Sequence, residues 1–342
     1  GLGDVYKRQV LLDDQSGKEM LKITRLSAKF DIIPLFNGKI TISSVQLFGF
    51  NINLNKPAPH MEPNFKFVLD AFASKDTVKT KKDIDLRINS ILIRRGKLSY
   101  DVLSEEETPG KFNPQHIKLH NIIANISLKA LQNDSVNAAI KRLSVDEQSG
   151  FELRKLSLKV IANNKGMKIE NFAIEMPGTE MKMDTIRMEY DSLKALNHFA
   201  DNVRFSFRTL PSHVTLNDIS AFVPALSNFK EKLDLNIDVE GTLNQLNCRT
   251  LEINAGDKFR LKGDVSLQDL SRPQDAYVYG HLANLSANKE GIGFLVRNLS
   301  PHYNGVPPVL QHLGNTSFHG EISGYFTDLV MYGPVSYTHL TL

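Results

Sequence analysis

The segment Leu233-Asp-Leu-Asn-Ile-Asp-Val-Glu240 alternates apolar and polar side chains without a break. Successive side chains of a β-strand point to opposite faces, so this beat predicts a half-buried strand. Leu233, Leu235, Ile237 and Val239 form its apolar face. The same beat recurs on either side. It appears in Phe259-Arg-Leu261, in Val203-Arg-Phe-Ser-Phe207 with Phe205 and Phe207 on one face, and in Ile122 through Ile126 to Leu128. Further towards the N-terminus it runs through Ile84-Asp-Leu-Arg-Ile88 with Leu86, Ile52-Asn-Leu54, Ile40-Thr-Ile42 and Leu26 to Ile32. Roughly twenty short strands can be drawn this way, well above the roughly 20–25% strand content of an average globular protein.

Turn signals punctuate the strands at Asn37-Gly38, Arg95-Gly96, Gln148-Ser-Gly150, Lys165-Gly166, Pro177-Gly178 and Ala255-Gly256-Asp257, as antiparallel hairpins require. Helical patterns do not separate every strand, which disfavours a parallel βαβ architecture. Four segments break the beat. Pro63 to Phe72 spaces Phe65, Val68, Leu69 and Phe72 for a helix; Asp191–Phe199, Asn217–Leu226 and Asn288–Leu299 are shorter or weaker helical patterns. Ser74–Asp83 and Ser104–Gly110 read as solvated charged loops.

The predicted fold is therefore mainly β: a long, curled antiparallel sheet with a few short helices, its apolar face forming a groove. Two features favour this over a compact sandwich. Strands continue with little change of character along most of the 342 residues, and the helices are too few to cover a wide sheet. Twenty strands about 4.8 Å apart would stack to roughly 100 Å. Such a face exposes more apolar surface than a monomer normally leaves open, and an acyl chain is a fitting occupant. The groove-lining candidates are the apolar positions named above: Ile40, Ile42, Ile52, Leu54, Ile84, Leu86, Ile88, Ile122, Ile126, Leu128, Phe205, Phe207, Leu233, Leu235, Ile237, Val239, Phe259 and Leu261.

Composition excludes several classes. The chain carries 41 basic against 38 acidic residues, too even a balance for a dedicated nucleic-acid binder. Its single cysteine, Cys248, forms no internal disulfide and no multi-thiolate metal site. No apolar run approaches the roughly 18–20 residues of a membrane span. No catalytic, metal or cofactor constellation stands out, and the chain does not read as an enzyme. His116 and His120 fall in a strand-like segment, on one face but too far apart to share a metal ion. Gly291-Ile-Gly293 lacks the third glycine of a dinucleotide loop, and Gly320-Glu-Ile-Ser-Gly324 lacks the spacing of a nucleophile elbow. Met176, Met181, Met183 and Met188 read as core packing, and Cys248 as a buried, idle thiol.

Both ends break the pattern. Residues 1–9 and 335–342 look like translated sequencing-adapter read-through at the ends of a metagenomic gene fragment. The natural segment is then expected to run from about Val10 to Pro334, within a longer parent protein.

The stretch Leu21–Lys56, LKITRLSAKFDIIPLFNGKITISSVQLFGFNINLNK, resembles the opening repeat of the AsmA-like family, which includes the TamB-type proteins of Gram-negative envelopes. The residues that carry the likeness are Asp31, Ile32, Pro34, Leu35, Gly38, Ile40, Ser44, Val45, Leu47, Gly49, Ile52 and Leu54. Ile88–Val102 is similar to the next family hairpin, and Leu216–Leu226 to a helical interruption of Bacteroidota-type members. The resemblance implies an opening β repeat with its short helix over residues 10–75 and a continuing β-groove over 76–334. It also implies a periplasmic, bridge-like module that conducts phospholipid acyl chains between the membranes and supports outer-membrane biogenesis. Its partners would be the inner membrane, through an N-terminal anchor, and an outer-membrane barrel, through a C-terminal region; both lie outside this sequence. A structural or adhesive β-rich surface protein is the alternative, with a carbohydrate-active β-protein third. A solenoid would show a fixed repeat, and sugar platforms would need more aromatics than 8% with no tryptophan.

Overall fold

The computed structural model describes residues 2–31, 39–73, 85–132, 135–272, 274–299, 304–326 and 328–339. The chain is mainly β, with 62% strand and 11% helix, in one large mixed, mostly antiparallel sheet. It divides into two compact units: Gly1–Ile161 with Ile219–Pro224, and Ala162–Asp218 with Ala225–Leu342.

Unit 1 holds β1 (Leu2–Lys7), β2 (Val10–Asp13), β3 (Glu19–Asp31), β4 (Lys39–Lys56), β5 (Asp85–Val102), β6 (His116–Gln132), β7 (Ser135–Glu147) and β8 (Glu152–Ala162, ending at the boundary). β1 and β2 both pair with β3, at its C-terminal and N-terminal halves respectively. β3 pairs with β4, and β5, β6 and β7 pair in turn, all antiparallel. The β4–β5 pairing is parallel, with α1 (Lys66–Ala73) on the crossover between them. That corrects the expectation of antiparallel pairing throughout. Parallel neighbours need a crossover of a dozen residues or more, and the stretch from Pro57 to Ile84 supplies it.

The strands are also longer than expected. β4 and β5 each run 18 residues, so Ile40–Ile42 and Ile52–Leu54 belong to a single strand. Arg95-Gly96, expected as a turn, is instead a β-bulge inside β5. Arg95 takes a left-handed backbone (φ 55), and the register shifts between Ile93 and Gly96. A bulge inserts an extra residue and bends the strand while pairing resumes beyond it. Related irregularities lie on the neighbours, with Gly49 of β4 at φ 65 and Asn121 of β6 at φ 53.

The inserted residues keep the apolar side chains on one face. Cross-strand rows run Phe30–Ile42–Ile88–Leu128–Ala138, Ala28–Val45–Ile91–Ile126–Ile140 and Leu26–Leu47–Ile93–Ala124–Leu143. Beyond the crease, Ile23 faces Phe50, Gly96 faces Ile122, and Leu21–Ile52–Leu98–Leu119 form another row. Leu26 and Ile23, Leu47 and Phe50, and Ile93 and Gly96 are each three residues apart. Strict alternation would put the members of each pair on opposite faces. Instead Ile23, Phe50 and Ile122 form one buried cluster with Leu26, Leu47 and Ile93 packed against it. Gly96 is required there, because a Cβ on it would lie 2.3 Å from Phe50 Cε1 and 3.0 Å from Ile122 Cβ.

Unit 2 holds β9 (Gly166–Met176), β10 (Thr179–Lys182), β11 (Ile186–Glu189), β12 (Arg204–Arg208), β13 (Ser212–Val214), β14 (Leu233–Thr242), β15 (Gln245–Ala255), β16 (Phe259–Gln268), β17 (Tyr277–Ala287), β18 (Leu313–Tyr325), β19 (Asp328–Tyr332) and β20 (Val335–His339). β14 to β18 form an antiparallel meander, and β19 and β20 share the far edge of β18. The expected turns at Gln148–Gly150, Lys165-Gly166, Pro177-Gly178 and Ala255–Asp257 are all present. Asn37-Gly38 and the loop Ser74–Asp83 lie outside the described residues. A second line of register shifts crosses the meander at Asp238/Val239, Cys248/Leu251, Lys262/Gly263 and Leu282/Leu285. The helical pattern at Asp191–Phe199 becomes a 3-10 turn, Leu193–His198, leading into α2 (Phe199–Asn202). That at Asn217–Leu226 becomes two 3-10 turns. Asn288–Leu299 forms the longest described helix, α3 (Lys289–Leu299), with Asn288 Oδ1 accepting the Gly291 N–H at 2.9 Å as its cap.

Candidate functional site

The structure places the described lining residues on cross-strand rows in unit 1 and in two apolar clusters in unit 2. In unit 1, Ile42, Ile52, Ile88, Ile122, Ile126 and Leu128 all fall on the apolar rows, and Leu54 faces Tyr100 one step further on. Ile40 pairs with Leu86 across β4 and β5, and Ile84 lies outside the described residues. In unit 2, Leu233, Leu235, Phe259 and Leu261 share a cluster with Phe294 of α3 and Phe229. Phe205, Phe207, Ile237 and Val239 share a second, around Cys248 and Val265. Sequence reasoning missed the contribution of α3, whose Phe294 ring meets Phe229 and Phe259 edge-on at 5.8 and 6.4 Å. The second cluster ends in a run of rings, Phe199 to Phe205 to Phe207, at 6.1 and 6.4 Å.

Most of these side chains are only half-buried. Leu47, Val45, Ile91, Ile93, Ile126, Leu128, Ile140 and Leu143 all keep intermediate exposure, whereas Ile23, Ala28, Phe50, Ile122 and Ala124 are buried. These half-buried side chains keep part of their apolar surface in contact with solvent.

Cys248 is buried, and its Sγ lies 3.0 Å from the Thr250 carbonyl oxygen. Burial pushes its thiol up to about 11. The thiolate is the reactive form, so the folded protein at pH 8 should resist iodoacetamide and become alkylated only on unfolding, as mass spectrometry would read.

Histidine chemistry concentrates at the start of β6. His116 is buried, directly opposite Asp101 on β5. Its Nδ1 lies 2.9 Å from Asp101 Oδ1, and its Nε2 2.8 Å from the Glu105 carbonyl oxygen. A carbonyl oxygen and an ionised carboxylate only accept, so these two contacts together favour the imidazolium, in which both ring nitrogens donate. The hydrogen bond to Asp101 raises the His116 pKa; burial opposes it, while the Glu105 carbonyl and the charges of Asp101 and Glu107 add to it. Asp101, Glu107 and His116 place potential ligand atoms within 4.8 Å of one another. A metal ion would need a lone pair from the imidazole, in competition with the contacts to Asp101 and the Glu105 carbonyl. Glu107 instead reaches Lys118 at 3.4 Å. The arrangement works as a clamp on the loop from Leu103 to Gln115. His120, on the same strand, is exposed and turns to Asp146 at 3.8 Å, so the two histidines do not converge.

A raised folded pKa favours the protonated state. The clamp's contribution is therefore complete below the unfolded value of about 6.5 and is lost as pH rises through the folded value. Thermal melts from pH 6 to 9 should show wild type losing stability relative to His116→Asn as pH rises. A difference between the two that stays constant with pH would refute the clamp.

No family model, curated protein or solved structure matches the chain. The fold and the clusters define it as a mainly β protein whose described strands gather apolar side chains into clusters.

Proposed function

We propose that the apolar sheet faces shield the acyl chains of phospholipids, in an envelope protein of the bridge-like type that the AsmA-like resemblance implies. The observation that supports this reading is the way the bulges of unit 1 are placed. Each inserted residue would turn the following stretch of strand over, yet apolar residues occupy the same face on both sides of the crease. A sheet needing only structural integrity could let that face become polar beyond the bend. Continuous Leu, Ile, Val and Phe contacts withhold each methylene of a bound chain from water at about 0.8 kcal/mol. The apolar rows repeat similar Leu, Ile and Val positions, between which a chain can slide. In this reading the apolar faces line a groove, headgroups stay at its wetter edge, and transfer needs no catalytic residue.

Photo-crosslinking tests this. A benzophenone amino acid at Leu47, Ile93, Leu235 or Ile237 should capture phospholipid from Gram-negative envelope membranes. The same probe at Asp234 or Asn236 should capture little. The reverse pattern, or equal labelling of both sets, would sink the proposal.

A further inference from the structure

Unit 1 carries a cavity of about 480 Å³ lined by Arg25, Ser27, Gln46, Phe48 and Arg94 together with Tyr6 and the apolar Leu47 and Leu92. Phe48 lies in register between Arg25 on β3 and Arg94 on β5. The bulge adds Arg95 to the group. The Arg25 and Arg95 guanidinium carbons lie 5.0 and 5.4 Å from the Phe48 ring centroid. Elsewhere exposed arginines reach carboxylates, as Arg204 and Arg249 do to Glu240, Arg208 to Asp184 and Arg272 to Asp269. Arg25, Arg94 and Arg95 have no such partner among the described residues.

We propose that this cavity binds a phosphate-bearing anion. Arg25 and Arg94 on the cavity wall, with Arg25 and Arg95 over the Phe48 ring, have no carboxylate among the described residues to answer their charge and N–H donors. A guanidinium offers parallel N–H donors in a planar fork that matches two oxygens of one phosphate. The contact with the Phe48 ring pre-orients the Arg25 fork, so less side-chain freedom is lost on binding. The Ser27 hydroxyl and Gln46 amide, on the same cavity wall, add neutral donors of the kind a phosphate accepts. Phe48 and Arg94 alternate with Leu47 and Ile93 along their strands, so the arginines and the ring belong to the face opposite the apolar rows. Of the residues on those rows only Leu47 also borders the cavity. An acyl chain held on the apolar rows could not place its own headgroup here, so the site stands independently of the acyl-chain proposal. The phosphate could belong to a headgroup displayed by a membrane or to a soluble phosphomonoester.

Two probes separate these sources: glycerol 3-phosphate in isothermal titration calorimetry, and phosphatidylglycerol against phosphatidylcholine vesicles in co-sedimentation. Wild type is compared with Arg25→Gln/Arg94→Gln and with Arg94→Gln alone, whose side chain makes no ion pair that the fold needs. A charge-matched control, Lys118→Gln/Arg154→Gln, alters ion-paired residues outside the cavity. The double cavity variant should bind at least tenfold more weakly, Arg94→Gln several-fold, and the control close to wild type. Loss with both probes assigns the site to the phosphate group itself. Loss with phosphatidylglycerol alone assigns it to a membrane headgroup, and loss with glycerol 3-phosphate alone to a soluble ester. No binding of either probe by wild type, or equal weakening in control and cavity variants, would overturn the site.

Discussion

Replacing Gly96 with valine is expected to destabilise the protein by about 3 kcal/mol, the upper range for overpacking a filled core. The added Cβ would overlap the Phe50 ring, which is itself buried at the centre of the unit 1 cluster. Phe50 cannot easily withdraw, because Ile23 and Ile122 pack around it. Phe50→Ala alone should cost about 3–5 kcal/mol through the cavity it leaves. The double substitution should cost clearly less than the sum, since the small side chain makes room for the valine. Urea unfolding of the four proteins in this cycle provides the measurement. Additive costs would mean that Gly96 is not reserved for the ring.

The second large effect concerns α3. Phe294→Ala removes the ring that meets Phe229 and Phe259 and should cost about 3–5 kcal/mol. Three further contacts hold α3 to the β15–β16 turn and to the segment preceding β14. Gly291 packs so closely on the Lys258 carbonyl that a Cβ would lie 1.9 Å from its oxygen. Lys258 pairs with Glu290 at 3.2 Å, and Arg297 with Glu231 at 3.8 Å. The substitution should therefore lower hydrogen-exchange protection in α3 and in β14 and β16 together. Faster exchange confined to residues 289–299 would show instead that the helix opens by itself while the meander stays closed.

What could be read from the residues depended on whether the period was interrupted. Leu233–Glu240 was legible because β14 keeps its apolar residues at every second position. β4 and β5 broke into fragments for the opposite reason. Their extra residues shift the phase at Gly49 and Arg95, so an alternation template loses each strand midway. A glycine beside a basic residue is a fair turn signal, and only the pairing partners of Arg95 and Gly96 reveal a bulge. Strand direction was equally hidden, since alternation is the same whether a neighbour runs parallel or antiparallel. α3 is weakly signalled because Gly291 and Gly293 lower helix propensity; the close approach to Lys258 that requires a glycine is tertiary. The His116 clamp depends on Asp101 across the strand pair and on a loop carbonyl, neither of which sequence spacing displays. The arginine cavity was invisible because Arg25 and Arg94 meet only through Phe48.

The parallel β4–β5 pair bears on how the chain reaches this structure. Most other neighbours in unit 1 are joined by short connections and can zip from a local turn. β4 and β5 can meet only after the crossover between Lys56 and Asp85 has closed, and that closure entropy is spent before the 18-residue ladder returns anything. Unit 1 is therefore expected to show a slow kinetic phase, in which a β3–β4 hairpin and a β5–β6–β7 meander form first and then dock. Until they dock, both carry open edges and exposed Ile and Leu, a state vulnerable to association with other chains.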